Sequence, residues 1–322
     1  MCIKMLLGAV VAAACLTAAP AMAQMSLSAV PPAIMKGRSK VAVPSYEITF
    51  ITQQQATAAA TIGARTRLLT QLTGVDAGVM KRLTNEAHAD LRAKLTAAGV
   101  PLVDPAQVAA ATAGVERLAG NQDIQIIGRT ITIGKGVAKG WASFGADDAS
   151  AIKAFHNPTF SPMGMMGMRS GATALSNAVK SLDAVMLIPN LNIDFVNMEA
   201  STGRGLLGQA SASASGKLNF AVRALATNAY VVGVPPVGPA YALGANLNKD
   251  VAYPGAFATV LDGEAAVRQL TGANTTDSNY LYNPSARGDA VVVNLPAWEA
   301  MVRKAFGDYN TAVVAAIVKA RS

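Results

Sequence analysis

Cysteine is nearly absent from this 322-residue chain, and the two present, Cys2 and Cys15, both fall in the opening segment "MCIKMLLGAVVAAACLTAAPAMAQ". A chain beginning at Gln24 has none, which excludes disulfides, thiol catalysis and zinc–thiolate sites. Histidine is almost as scarce, with only His88 and His156. A hydrolase needs a nucleophile, a base and an oxyanion site, and no Gly-x-Ser-x-Gly elbow is present, so nothing in the sequence signals an enzyme. Aromatic residues are few, and no basic run is interleaved with them, which excludes the usual footprint of a nucleic-acid binder. Beyond the opening segment no window holds eighteen uncharged apolar residues, so no helical membrane span is expected. No cofactor motif appears either. The stretch "IGKGVAKG" lacks the spacing that sets a lysine on bound phosphates, and Asp147 and Asp148 are sequence neighbours whose side chains diverge on most backbones.

What is present begins with a leader. Lys4, an apolar run from Met5 to Leu16 and the small-residue pattern Ala21-Met22-Ala23 read as a secretory signal peptide cleaved after Ala23. The competing reading makes Cys15 the lipid-modified first residue of a lipoprotein. The expected location is therefore the periplasm or the outer-membrane surface. From Gln24 onward there are 26 basic and 19 acidic residues, a net charge of +7. That excess suits envelope proteins or an anionic envelope surface as partner.

Residues 24–39, with Pro31-Pro32 and no periodicity, read as a loosely packed extended arm. Residues 40–322 read as one domain. "KVAVPSYEITFI" predicts a strand with Pro44 at a bulge or edge. Val79, Leu83, Ala87, Leu91 and Leu95 form one apolar stripe of a helix capped by Asp76 and stopped at Gly99, with His88 on a solvated face. "VPLV" predicts a short strand, and Asp104-Pro105 opens a second helix running to Leu118. "DIQIIGRTITI" predicts a strand. The pattern then dissolves until a helix at about 172–180. "DAVMLIPNLNIDFV" predicts an apolar strand that turns at "MEASTGRG" into "QASASASGKLNFAV". There Gln209, Ser211, Ser213 and Ser215 alternate with Ala210, Ala212 and Ala214, as in a half-exposed hairpin strand. The Gly/Pro-rich stretch after residue 228 breaks regular structure. A terminal helix carries Trp298, Val302, Ala305, Tyr309 and Val313 on one face. The fold class is thus α/β (α+β), a mixed sheet with an antiparallel hairpin packed by amphipathic helices.

Taken in order, the first strand, the helical segment "LTNEAHADLRAKLTAAGVPLVDPAQVAA" and the hairpin opening "LDAVMLIPNLNIDFV" resemble the periplasmic α/β domain of TolB N-terminal-like proteins and the curli secretion-channel lipoproteins. Residues 134–180 and 228–290 would be insertions on that pattern. The resemblance implies a non-enzymatic role in envelope assembly, secretion or scaffolding, often as a ring-shaped oligomer, and carries over no catalytic residue.

One motif stands outside that pattern. "MGMMGM" (163–168) follows the "FHNP" segment, and His156, Met163, Met165, Met166 and Met168 could converge as a soft site for Cu(I). The rival reading is an adaptable contact loop for a partner or membrane, since thioether side chains shape themselves to apolar surfaces. Plain filler is the third. The contact loop is favoured, which leaves a periplasmic metal- or ligand-binding protein as the alternative function and an unrecognised hydrolase as the third.

Overall fold

The computed structural model describes residues 25–59, 65–127, 135–159, 162–204, 210–234, 240–270 and 288–322. Its centre is a mixed sheet with helices on both faces. The elements are β1 (Lys40–Ala42), β2 (Glu47–Ala59), β3 (Arg65–Thr73), α1 (Ala77–Ala97), α2 (Pro105–Ala111), β4 (Gln122–Gln125), β5 (Gly136–Gly145), α3 (Pro162–Leu182), β6 (Ala184–Arg204) and β7 (Ala210–Val222). They continue as β8 (Asn228–Gly233), β9 (Tyr241–Asn246), β10 (Val251–Ala252), β11 (Ala258–Leu261), α4 (Gly263–Leu270), β12 (Asp289–Val293) and α5 (Leu295–Arg321).

β6 organises the body. Its first residues read Ala-Val-Met-Leu-Ile with no alternation, because a strand covered on both faces is apolar on both. Val185 and Leu187 face one core, together with Tyr46, Ile48, Phe50, α1 and α5. Ala184, Met186 and Ile188 face the other, with Phe155, Leu175 and Val179. β1 and β2 pair with β6 in parallel, and β8 pairs with it antiparallel.

Both long helices form for reasons visible in their sequences. Asp76 accepts a hydrogen bond from the Val79 amide at 2.8 Å and caps α1, and Gly99 takes a φ of 69° just past its end, a left-handed conformation that glycine adopts without a Cβ clash. Asn294 caps α5 with Pro296 in the first turn, and Trp298, Val302, Ala305, Tyr309 and Val313 are buried as the stripe predicts. The buried face of α1 is wider than its stripe. His88 and Thr84 are buried beside Leu83, Ala87 and Leu91, and His88 is covered by the Tyr46 ring and by Asp148 in the turn after β5.

Several elements differ from expectation. The segment read as one strand with a bulge or edge at Pro44 is two strands, β1 and β2. α2 stops at Ala111, where Thr112 turns its hydroxyl back onto the Val108 carbonyl at 2.8 Å instead of continuing to Leu118. Residues 134–180, read as a loop insertion, supply β5, which pairs with β2 along its length, and α3, which starts at Pro162 rather than near 172. The stretch 228–290 supplies β8 and β9 and the edge strands after them, so glycine and proline there punctuate strands rather than abolish them. β6 runs on through "MEASTGRG" to Arg204. The arm at 25–39 is packed: Met25, Val30, Ile34 and Met35 are buried, and Leu27 bridges Leu247.

Candidate functional site

The molecule divides at one level of the sheet. β2 and β6 pair only as far as Phe50 and Ile193, and each then carries a bulge, between Ile51 and Gln53 on β2 and between Asp194 and Val196 on β6. A bulge bends its strand and increases the local twist. Beyond it the strands separate into two ribbons, β5–β2–β3 and β6–β7.

A buried carboxylate joins them at the fork. Asp194 is fully buried, and it accepts hydrogen bonds from Gln54 Nε2 on β2 at 2.6 and 2.7 Å, from Lys139 Nζ on β5 at 2.9 Å and from Arg223 Nε after β7 at 3.0 Å. Its own chain contributes the Phe195 amide at 2.8 Å. Gln54 also donates to the Val196 carbonyl, and Arg223 continues to Asp250. A buried charge needs partners of this kind for its lone pairs, and here they come from three different hairpins.

Past the fork the ribbons lie face to face at close range. Thr66 Oγ1 donates to the Ala212 carbonyl at 3.2 Å, and a Cβ at Gly216 would sit 3.5 Å from Leu68. Alanine and glycine make the approach possible: Ala200, Ala212, Ala214 and Gly216 occupy inner positions while Ser201, Ser211, Ser213 and Ser215 are exposed on the outer face. Ser201 and Ser213 sit opposite one another with hydroxyls 2.6 Å apart. On the far side of β2, Gln53 and Gln55 are buried, Gln53 donating to Gln71 Oε1 at 3.1 Å and accepting from the Ile127 amide at 2.7 Å. A Cβ at Gly140 would lie 2.7 Å from the Gln125 carbonyl, so glycine is required there.

The edges of the β6–β7 ribbon are open. β10 covers β7 only at Ala221 and Val222, and β6 beyond Ile193 pairs with β7 alone among the described residues. Each strand thus runs for about ten residues with no described strand paired along one side, the Val196 and Ala212 carbonyls taking side-chain hydrogen bonds only, a template for another strand.

Of the residues singled out in the sequence, His156 is the one the structure places in a polar cluster. It follows a short 3-10 turn, and its ring is clamped between Glu47 Oε1, 2.7 Å from Nδ1, and Asp123 Oδ2, 2.9 Å from Nε2. Burial would lower its pKa, and the Glu47 carboxylate, helped by Asp123, more than offsets this and raises it to about 9. The ring is therefore an imidazolium at neutral pH, with no lone pair for a metal and no capacity to act as a base. Ser143, hydrogen-bonded to Thr49 at 2.7 Å beside Glu47, is fully buried. The cluster is a cross-link between β2, β4 and the segment leading to α3.

Met163, Met165 and Met166 belong to the first turns of α3, and their side chains lie outside the described residues. Met168 packs half-buried against the core formed by α3, β6 and β8. The expected contact loop is thus helical from Pro162 onward. His88, expected in solvent, is 3% exposed, with Nδ1 2.9 Å from Asp148. Burial lowers its pKa more than Asp148 raises it. Asp147 turns instead to Lys81 and Asn85, so the adjacent carboxylates do diverge. Sequence reasoning missed Asp194, Gln54, Lys139 and Arg223. The one available signal was an aspartate in the alternating part of a strand that opens apolar.

In comparisons with protein-family models, curated proteins and solved structures, nothing matches this chain. Among the described residues no helix is long and apolar enough to cross a membrane.

Proposed function

We propose that this protein is an exported, non-enzymatic component of a cell-envelope assembly, and that it works by pairing strands with further copies of itself. The observation that carries the reading is the pair of open edges on β6 and β7. Natural sheets blunt such edges with proline, inward-pointing charge or a covering segment. Here the strands run from Phe195 to Arg204 and from Ala210 to Asn219 without proline, and no described strand covers them. Small hydroxyl and methyl side chains on both faces leave room for a neighbouring ribbon. The predicted leader ending at Ala23 and the resemblance to envelope assembly proteins point the same way.

Light scattering on purified residues 24–322 tests this. The expected result is a defined oligomer, and a monomer across the accessible concentration range would overturn the reading. Ser213→Pro and Ala214→Pro, made separately, locate the contact, since consecutive amides of a strand point to opposite edges. One variant should become monomeric with its thermal stability kept. The other should break the β6–β7 ladder and lower stability.

A further inference from the structure

Arg117 is a half-buried cation whose partners are all neutral. Its Nη1 donates to the carbonyls of Pro44, at 2.6 Å, and of Ser150, and its Nη2 donates to Thr112 Oγ1 at 2.8 Å. The Thr112 hydroxyl is itself anchored on the Val108 carbonyl, so three acceptors from three separate segments hold the guanidinium in place. No carboxylate pairs with it among the described residues, and Glu116, its neighbour in the chain, is turned to Lys153. Burial pulls its pKa down, with no carboxylate to raise it. A cation withdrawn from water is ordinarily answered by an anion. Here Nε and one hydrogen of Nη2 are left without an acceptor among the described residues.

The answering charge lies across a cleft. Arg117, Asp147 and Asp148 line one space of about 240 Å³, with Val108, Ala109 and Ala113 of α2 and its last turn forming an apolar wall. Asp147 is balanced by Lys81 at 2.9 Å. Asp148 is not. Its partner is the His88 ring, whose pKa burial holds below the ordinary value, so at neutral pH the ring donates a hydrogen bond and cancels no charge. Arg117 and Asp148 thus carry opposite, uncancelled charges on one cleft, and no ion pair joins them.

A simple anion there would meet the aspartates, and a simple cation would meet Arg117. A zwitterion answers both. The cleft is smaller than the roughly 300–1,000 Å³ that drug-sized ligands occupy, so its occupant is small. The methyl groups of α2 suit a short aliphatic side chain. We propose that this cleft binds a small free α-amino acid, its carboxylate on the two free N–H groups of Arg117, its ammonium at Asp148 and its side chain against Val108, Ala109 and Ala113. None of the lining residues belongs to β6 or β7, so the site is independent of strand pairing between copies.

Calorimetric titration of the purified protein tests this with three ligands of one skeleton: L-valine, L-valinamide, which lacks the carboxylate, and the 2-hydroxy acid, which lacks the ammonium. L-Valine should give saturable heat with a Kd of about 1 mM or tighter, and each analogue should bind at least about ten-fold more weakly. No saturation by L-valine at about 10 mM, or equal affinity for either analogue, would overturn the proposal. Two variants at exposed positions locate the site. Asp148→Asn keeps an acceptor for His88 and should weaken L-valine about ten-fold while leaving the 2-hydroxy acid unchanged. Ala109→Leu should fill the cleft and abolish binding of both. Variants that keep the melting temperature and still bind L-valine as wild type does would put the amino acid elsewhere and overturn the assignment.

Discussion

The body and the ribbons are built from the same sheet by opposite means. Around β6 the body is sealed by large side chains, Trp298, Tyr46, Tyr309, Phe50 and Phe144 all lying fully buried between sheet and helices. In the ribbons the inner layer is mostly alanine, glycine and threonine, and the outer face of β7 is serine. Apolar area removed from water contributes about 25 cal/mol per Å², so the body holds itself together. What the ribbons bury is mostly small or polar, as along β2 from Gln53 to Ala58, and they depend on the Asp194 junction, on backbone ladders and, in our reading, on partners. A region that spends its residues on small, regular, polar positions stays available for contact.

The sharpest way to break that comparison is a truncation in the body. Leu91 is fully buried in the core between α1, α5 and the sheet. Leu91→Ala should lower unfolding free energy by about 2–5 kcal/mol in urea melts, and a loss under about 0.5 kcal/mol would mean the helix contributes little to that core.

The next largest effect lies at the junction with α3. The His156 pKa stands at about 9 in the folded protein against about 6.5 unfolded, a difference on the order of 3 kcal/mol. The clamp's contribution should be fully present below pH about 6.5 and vanish as pH rises through about 9. The stability gap between wild type and His156→Gln should therefore narrow with rising pH. A gap that stays constant would show that the ring acts by packing alone. His88 has the opposite sign. Its folded pKa is lowered by burial, so its contribution is present above about pH 6.5 and falls on acidification.

The smallest effect belongs to the ribbons. Ser213→Ala removes a hydroxyl that is exposed and bonded to Ser201, and monomer stability should move by no more than about 0.5 kcal/mol. A larger loss in the oligomer alone, read from concentration-dependent melts, would put that face inside the contact.

How much of this was legible follows from the same contrast. The stripes of α1 and α5 and the Ser/Ala alternation of β7 could be read because each buries one face and exposes the other, so polarity alternates with the period of the element. β5 could not. Three of its ten residues are glycine, and two of them serve close approach rather than strand propensity, Gly140 to Gln53 and Gln125 and Gly145 to Asn121 and Ala151. Gln53 is a buried polar residue satisfied across strands, and Gln55 beside it is buried too; both are invisible to any reading that equates polarity with exposure. His88 was misplaced because one stripe predicts one covering surface, and α1 has two. Asp194 gave its position in the sequence but not its partners, which come from Gln54, Lys139 and Arg223 on separate hairpins.

The packed arm has a consequence in time. Ser28 bonds the Asn246 amide at a separation of 218 residues, and β1 and β2 cannot complete their pairing until β6 exists. The residues around Ser28 are thus among the last to find their places, and contacts this distant in sequence make folding slow. A chain that has not yet reached β6 can form the β2–β3 and β2–β5 ladders but not the parallel pairings that seal the body, so its apolar strands wait uncovered until the second half arrives.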